Sequence, residues 1–138
     1  MSGPDKLSVI VFSGDFDRVH YALAMAAAAA AVDTPATLFF TMGALRALRR
    51  ADAGGTPGWA ALPGAAARDA ELVARGVAGF ETLYAACAAL GVRFMVCEMG
   101  LAAEGLRRAD LRDDAPIEEG GLVTFLADAS ASGAVVFV

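Results

Sequence analysis

The sequence predicts an α/β domain of three layers (α/β/α), with a mostly parallel sheet of four or five strands between the helical layers. Two observations predict it. Short aliphatic runs alternate along the whole chain with longer stretches of helical spacing, several of them rich in alanine. The runs are apolar at consecutive positions, as strands buried on both faces are. With 138 residues the chain is long enough to bury a core as one domain, residues 1–138, without disulfides or a structural metal.

The first run, Leu7 to Ser13, reads as a buried strand that delivers the turn Ser13-Gly14-Asp15. Asp15 or Asp17 then caps a long helix that reaches about Val32; it is mostly alanine, the best helix former, and its small side chains suit close packing on a sheet. Thr34-Pro35 breaks it, and Ala36 to Met42 supplies a second strand, so the opening motif is a βαβ unit. Ala44 to Arg50 reads as a short helix whose Arg46, Arg49 and Arg50 form either a solvated face or a site for an anion or acidic partner. Asp52 to Ala67 holds four glycines and two prolines around Trp59 and is too long for a simple connection. It reads as a lid, or as a passive insertion that Trp59 anchors.

Arg68 to Leu90 reads as one helix, with the stripe Val73, Val77, Phe80, Leu83/Tyr84, Cys87 and Leu90 at spacings of three and four. Gly91 ends it, and Val92 to Cys97 forms the third strand. A short helix from Leu101 to Arg108, an acidic turn from Asp110 to Asp114 and an extended piece near Ile117 follow. A helix from about Gly121 to Ala131 and a last strand, Ala134 to Val138, complete the alternation.

A formal charge of −5 opposes binding to a phosphate backbone, and no stripe of aromatic and basic residues is present to stack bases, so no nucleic acid is expected as partner. The longest apolar stretch, Val19 to Val32, carries His20 and is too short to span a bilayer; no membrane partner is expected. Met1-Ser2-Gly3-Pro4-Asp5-Lys6 lacks the basic start and apolar core of a signal peptide, which points to the cytoplasm and to reduced thiols. Two cysteines without a CxxC spacing and a single histidine make no zinc set. Neither a metal nor a cofactor is expected.

Because parallel strands all point one way, Ser13, Thr41 and Cys97 are expected at one edge of the sheet, where open α/β sheets place ligands. Cys97 is the principal candidate. A thiol that ends a strand and faces a helix start has its thiolate favoured by the helix dipole and free N–H groups, which makes it a nucleophile or sulfur carrier. The alternative is a small buried hydrophobe. Ser13-Gly14-Asp15 offers N–H groups for an oxyanion, or is a plain capped turn; it is neither GxGxxG nor a P-loop. Together with Thr41, Gly43, Met99 and Gly100 it makes up the expected binding rim. Cys87 reads as a core residue, well beyond the roughly 7 Å that a disulfide to Cys97 allows. His20 is either a base near the same mouth or a histidine on a helix surface. Glu98 beside the thiol opposes the helix end by like-charge repulsion.

Four segments then match a known pattern in order. Ser13-Gly14-Asp15-Phe16-Asp17-Arg18 is similar to an SGDxD turn, and Phe39-Phe40-Thr41 with Gly43-Ala44-Leu45 to an FFTxxGL stretch. Gly91-Val92 through Cys97-Glu98-Met99 is similar to a cysteine-bearing strand and its turn. Glu119-Gly120-Gly121-Leu122-Val123-Thr124-Phe125-Leu126, with Val136-Phe137-Val138, is similar to a closing helix and strand. Over nearly its whole length the chain thus resembles the DsrE/DsrF/DrsH-like sulfur-trafficking family, in particular its peroxiredoxin-like DsrE branch.

That resemblance implies a DsrE-like, flavodoxin-like architecture and a homo-oligomer. It also implies sulfur held as a persulfide on Cys97 and passed to a TusA-like carrier, often beside rhodanese-like proteins, with Cys87 comparable to a second upstream cysteine of some members. Other members lack the active cysteine and serve as structural or binding subunits. The chain departs from the branch after the cysteine: roughly TMSMDxMGI is replaced by Glu98-Met99-Gly100-Leu101-Ala102-Ala103-Glu104-Gly105-Leu106, and the segment before Arg68 lacks a methionine-rich lid. The expected function is sulfur relay, as a sulfurtransferase acting through Cys97. The alternatives are a non-catalytic module for a small anion or nucleotide, or an oligomeric scaffold.

Overall fold

The computed structural model describes residues 3–138; Met1 and Ser2, the start of the terminus read for a signal peptide, lie outside the described residues. Its strands are β1 (Leu7–Val11), β2 (Ala36–Phe40), β3 (Arg93–Cys97), β4 (Ile117–Gly120) and β5 (Ala134–Phe137). They form one sheet in the order β4-β3-β2-β1-β5, and every pairing is parallel. The chain therefore steps from β1 to β4 in one direction and then returns across the sheet to place β5 beside β1.

Parallel strands send alternate side chains to opposite faces. Val9, Val11, Leu38, Phe40, Phe94 and Val96 point to the first face, under helices α1 (Phe16–Ala31) and α3 (Phe80–Ala89). The alanines of α1 serve that contact: Ala22 and Ala26 are fully buried, and the Cys87 thiol of α3 donates to the Leu23 carbonyl of α1 at 3.3 Å. Ile10, Phe39, Met95 and Cys97 point to the second face. One helix of seven residues, α5 (Leu122–Asp128), covers that face, because the return from β4 to β5 runs on the side opposite α1. The expected third layer is thus present but thin.

The helix read from Arg68 to Leu90 is two helices, α2 (Ala65–Ala74) and α3. The break is made by Gly76, whose φ of +79° takes the left-handed conformation that closes a helix; Gly76 N–H donates to Val73 O, and Val77 N–H to Leu72 O. Phe80, Tyr84 and Cys87 keep the buried stripe, while Val73, Val77 and Leu90 are exposed. Ala44 to Arg50 is mostly a 3₁₀ helix, Met42–Leu48. The helix placed at Leu101 to Arg108 starts earlier, as α4 (Glu98–Glu104), directly on Cys97.

The insertion after Arg50 is anchored. Trp59 is buried against Phe16 and Phe80, with ring centroids at 5.7 and 5.2 Å, and its indole N–H donates to Glu81 at 2.6 Å. Arg112 bridges Glu81 and Asp114 and lies 3.9 Å from the Tyr84 ring centroid. The Arg112 hydrogen bonds hold the Glu81 carboxyl below the usual carboxylate range, against the opposing effect of burial. Among the described residues no helix is long and apolar enough to cross a membrane.

Candidate functional site

The carboxyl ends of β1, β2 and β3 meet at one edge, as the sequence predicts, and the three turns there touch through glycine. Gly14 approaches Gly43 so closely that a Cβ on it would stand 3.0 Å from the Gly43 carbonyl oxygen. A Cβ on Gly100 would stand 2.6 Å from Thr41 Oγ1 and 2.8 Å from the Met42 nitrogen. These contacts let α4 start against the end of β2. Met42 itself turns at φ 47°, an uncommon conformation for a side chain other than glycine, and redirects the chain from β2 into the 3₁₀ helix. Ser13, Gly14, Thr41, Gly43 and Gly100 therefore come together chiefly as a close-packed rim.

Asp15 caps α1, its carboxylate accepting from Arg18 N–H at 3.4 Å, and Ser13 Oγ accepts from Asp15 N–H at 3.1 Å. Both groups are spent on the turn. Met99 projects outward, 57% exposed.

Cys97 occupies the N-cap position of α4, and its sulfur accepts from Gly100 N–H at 3.4 Å. That contact ties the sulfur to the first turn of α4. The side chain belongs to the second face, within a cluster of Phe39, Met95 and Phe125, and Cys97 is 1% exposed. A sulfur open to the rim, as the strand-end position suggests, is not what the fold provides. The reason is strand parity: Cys97 alternates with Val96 and shares a face with Met95, so it turns beneath α5.

His20 is not placed as a base for that thiol. It is buried on the first face, its Nε2–H donating to Ala78 O at 2.8 Å and its ring beside Phe16. Cys87 and Cys97 are both free thiols, in the two separate clusters on opposite sides of the sheet. Burial pushes the Cys87 thiol up to about 11, which suits a core residue and not a nucleophile. Glu98 is exposed at the first turn of α4.

Sequence reading missed the residues that fasten α5 over the Cys97 cluster. Phe125 is the fully buried residue of α5, and its ring sits 4.9 Å from that of Phe39. Burying such a side chain contributes roughly 2–3 kcal/mol. Asp128, at the other end of α5, accepts from Thr37 Oγ1 at 2.6 Å and from Lys6 Nζ at 2.7 Å, and pairs with Arg93. Burial disfavours the Asp128 charge, but the Lys6 and Thr37 hydrogen bonds and the two cations outweigh it, so the carboxyl lies below its usual range. Gly120 and Gly121 lead into the helix, and Gly120 lies against the Met95 sulfur. One signal was available: an acid in the last turn of a helix opposes the dipole and calls for a specific cationic partner.

Solved structures that share this fold include the ychN protein from E. coli, with a TM-score of 0.58 and 19% identity over 96% of this chain and 97% of that one. MTH1491 from Methanobacterium thermoautotrophicum, a protein of unknown function, matches with a TM-score of 0.55 and 16% identity over 96% and 98%. Likeness at such identities is a likeness of fold. No protein-family model and no curated protein matches the chain.

In a Cys87→Ala background, Phe125→Ala is expected to cost about 3 kcal/mol and to speed alkylation of Cys97 at least about tenfold while circular dichroism stays folded. An unchanged rate shows that Phe125 does not guard the thiol. Asp128 contributes stability that is present above its unfolded pKa near ~3.9 and lost as pH falls through its lower folded value. Urea unfolding of Asp128→Asn is therefore expected to show lower stability at neutral pH and a shallower loss below pH ~4 than the parent; parallel curves contradict the clamp.

Proposed function

We propose that the chain is a sulfur-relay protein that carries sulfane sulfur on Cys97, a member of the DsrE-like group its sequence resembles. The single observation that carries the proposal is the Cys97 sulfur at the carboxyl end of β3, accepting the Gly100 N–H as α4 begins. The thiolate attacks the outer sulfur of a persulfide or thiosulfate donor. The donor's S–S bond breaks, the donor leaves as a thiolate or sulfite, and Cys97 keeps the sulfur as a persulfide. An acceptor thiolate then attacks that terminal sulfur and restores the Cys97 thiolate, so no outside oxidant or reductant is consumed. A TusA-like carrier and a rhodanese-like protein are the acceptor and donor classes that the resemblance suggests.

Because Cys97 is buried under Phe125, the exchange requires α5 to swing away from Met95 and Phe39. The thinness of that cover supports the proposal: α5 has seven residues, one fully buried side chain and two glycines at its entry. Local opening of such a segment takes far less than global unfolding.

Assembly with copies of the same chain is proposed for the same face. Phe12 and Phe137 pair at 5.3 Å between ring centroids yet are 43% and 65% exposed, and Val135 beside them is exposed as well. Leu122, Val123 and Leu126 make the outer side of α5 apolar too. A short helix with apolar residues on its outer as well as its inner side belongs in a larger buried surface. In sedimentation the chain is expected as an oligomer that Phe137→Asp dissociates; a monomer at micromolar concentration contradicts the assembly.

Mass spectrometry after incubation with thiosulfate, polysulfide and a loaded carrier protein is expected to show a gain of one sulfur that Cys97→Ser abolishes. No gain with any of the three donors overturns the relay.

A further inference from the structure

On the first-face side of the same edge, away from the Cys97 cluster, lies a cavity of about 440 Å³. We propose that it binds a small phosphomonoester, the phosphate on Arg46, Arg49 and Arg50 and the organic body against Leu62 and Pro63.

The backbone brings the three arginines to one wall. Arg46 lies in the last turn of the 3₁₀ helix, and three residues per turn return the C-cap residue Arg49, whose N–H donates to Arg46 O, to the same side. Arg49 then pairs as an isolated antiparallel bridge with Leu111, with Arg50 N–H donating to Asp110 O and Arg112 N–H to Leu48 O. The opposite wall is the insertion anchored by Trp59. Gly58 lies directly on the 3₁₀ helix, where a Cβ would stand 2.7 Å from both the Arg46 and Arg49 carbonyl oxygens. The cavity is therefore built between two segments fixed to each other, and its volume falls in the range of small-molecule sites.

The open guanidinium donors suit an anionic oxygen group. Arg46 commits its Nε to Glu104 at 2.7 Å; Arg50 commits its Nε to Ala109 O at 2.8 Å and one terminal nitrogen to Asp113 at 3.3 Å. Among the described residues Arg49 has neither a salt bridge nor a side-chain hydrogen bond, so its whole fork of donors is open. Two carboxylates also line the cavity, Asp52 and Asp110. Asp52 Oδ1 accepts Gly54 N–H and Thr56 N–H, and Asp110 Oδ2 accepts Arg107 N–H, so both shape turns. The three arginines thus stand among four carboxylates, Glu104 and Asp113 paired with Arg46 and Arg50, and Asp52 and Asp110 in the lining; the donors left over are the fork of Arg49, the terminal nitrogens of Arg46 and one terminal nitrogen of Arg50. Planar guanidinium groups bind phosphate oxygens in pairs, and a phosphomonoester supplies three such oxygens and up to two charges.

Calorimetric titration of the full chain with adenosine 5′-monophosphate, inorganic phosphate and adenosine tests this. The monophosphate is expected to bind at least about tenfold more tightly than adenosine, and Arg49→Ala to weaken it about tenfold with the thermal midpoint unchanged, since Arg49 is exposed. Cys97→Ser is expected to leave this binding intact, which separates the site from the fate of the sulfur relay. Free phosphate binding as tightly as the ester overturns the role given to Leu62 and Pro63. Absence of monophosphate binding up to millimolar concentration, equal binding of adenosine, or indifference to Arg49→Ala overturns the site.

Discussion

One seven-residue helix, held by a phenyl ring at its middle and a carboxylate at its end, is the helix that covers the second face of the sheet among the described residues. The first face is closed by α1, α3 and the anchored insertion, with aromatic rings from Phe16 through Trp59 and Phe80 to Tyr84 in continuous contact. Stability is therefore concentrated on one side and access on the other. The Cys97 sulfur lies on the thin side, and the sulfur transfer proposed for it depends on how firmly Phe125 and Asp128 hold α5 down.

The glycines of the rim have a related consequence. Gly14 against Gly43 and Gly100 against Thr41 draw three strand ends into contact, so the rim is filled with backbone where many α/β proteins keep a ligand cleft. Space opens at the flank, where the 3₁₀ helix Met42–Leu48 leaves β2 and the insertion folds back on it. Sheet and rim together separate a concealed thiol from an arginine-lined cavity. That separation lets the two be perturbed independently.

Much of this was legible in the residues. Runs such as Thr37 to Phe40 and Phe94 to Cys97 are apolar on both faces and identify buried parallel strands; Thr34-Pro35 and Gly91 mark helix ends. The break at Gly76 was hidden because Val73, Val77 and Phe80 keep a helical spacing straight across it, and only the fold shows that the first two face solvent. The rim position of Cys97 follows from strand direction alone. Its burial does not, because alternation fixes which residues share a face but not which face α5 will cover. His20 illustrates the same gap: its place in α1 was readable, its partner, the Ala78 carbonyl, belongs to a turn fifty-eight residues away.

Hydrogen exchange of the α5 amides, followed with Cys97 alkylation across low urea concentrations, tests directly whether the cover opens by itself. If Phe125 and Asp128 form a local latch, both rates rise with one shared urea dependence, much shallower than that of global unfolding. If the thiol reacts only with the full urea dependence of unfolding, α5 is a fixed part of the core, and Cys97 is a packing residue with no part in sulfur transfer.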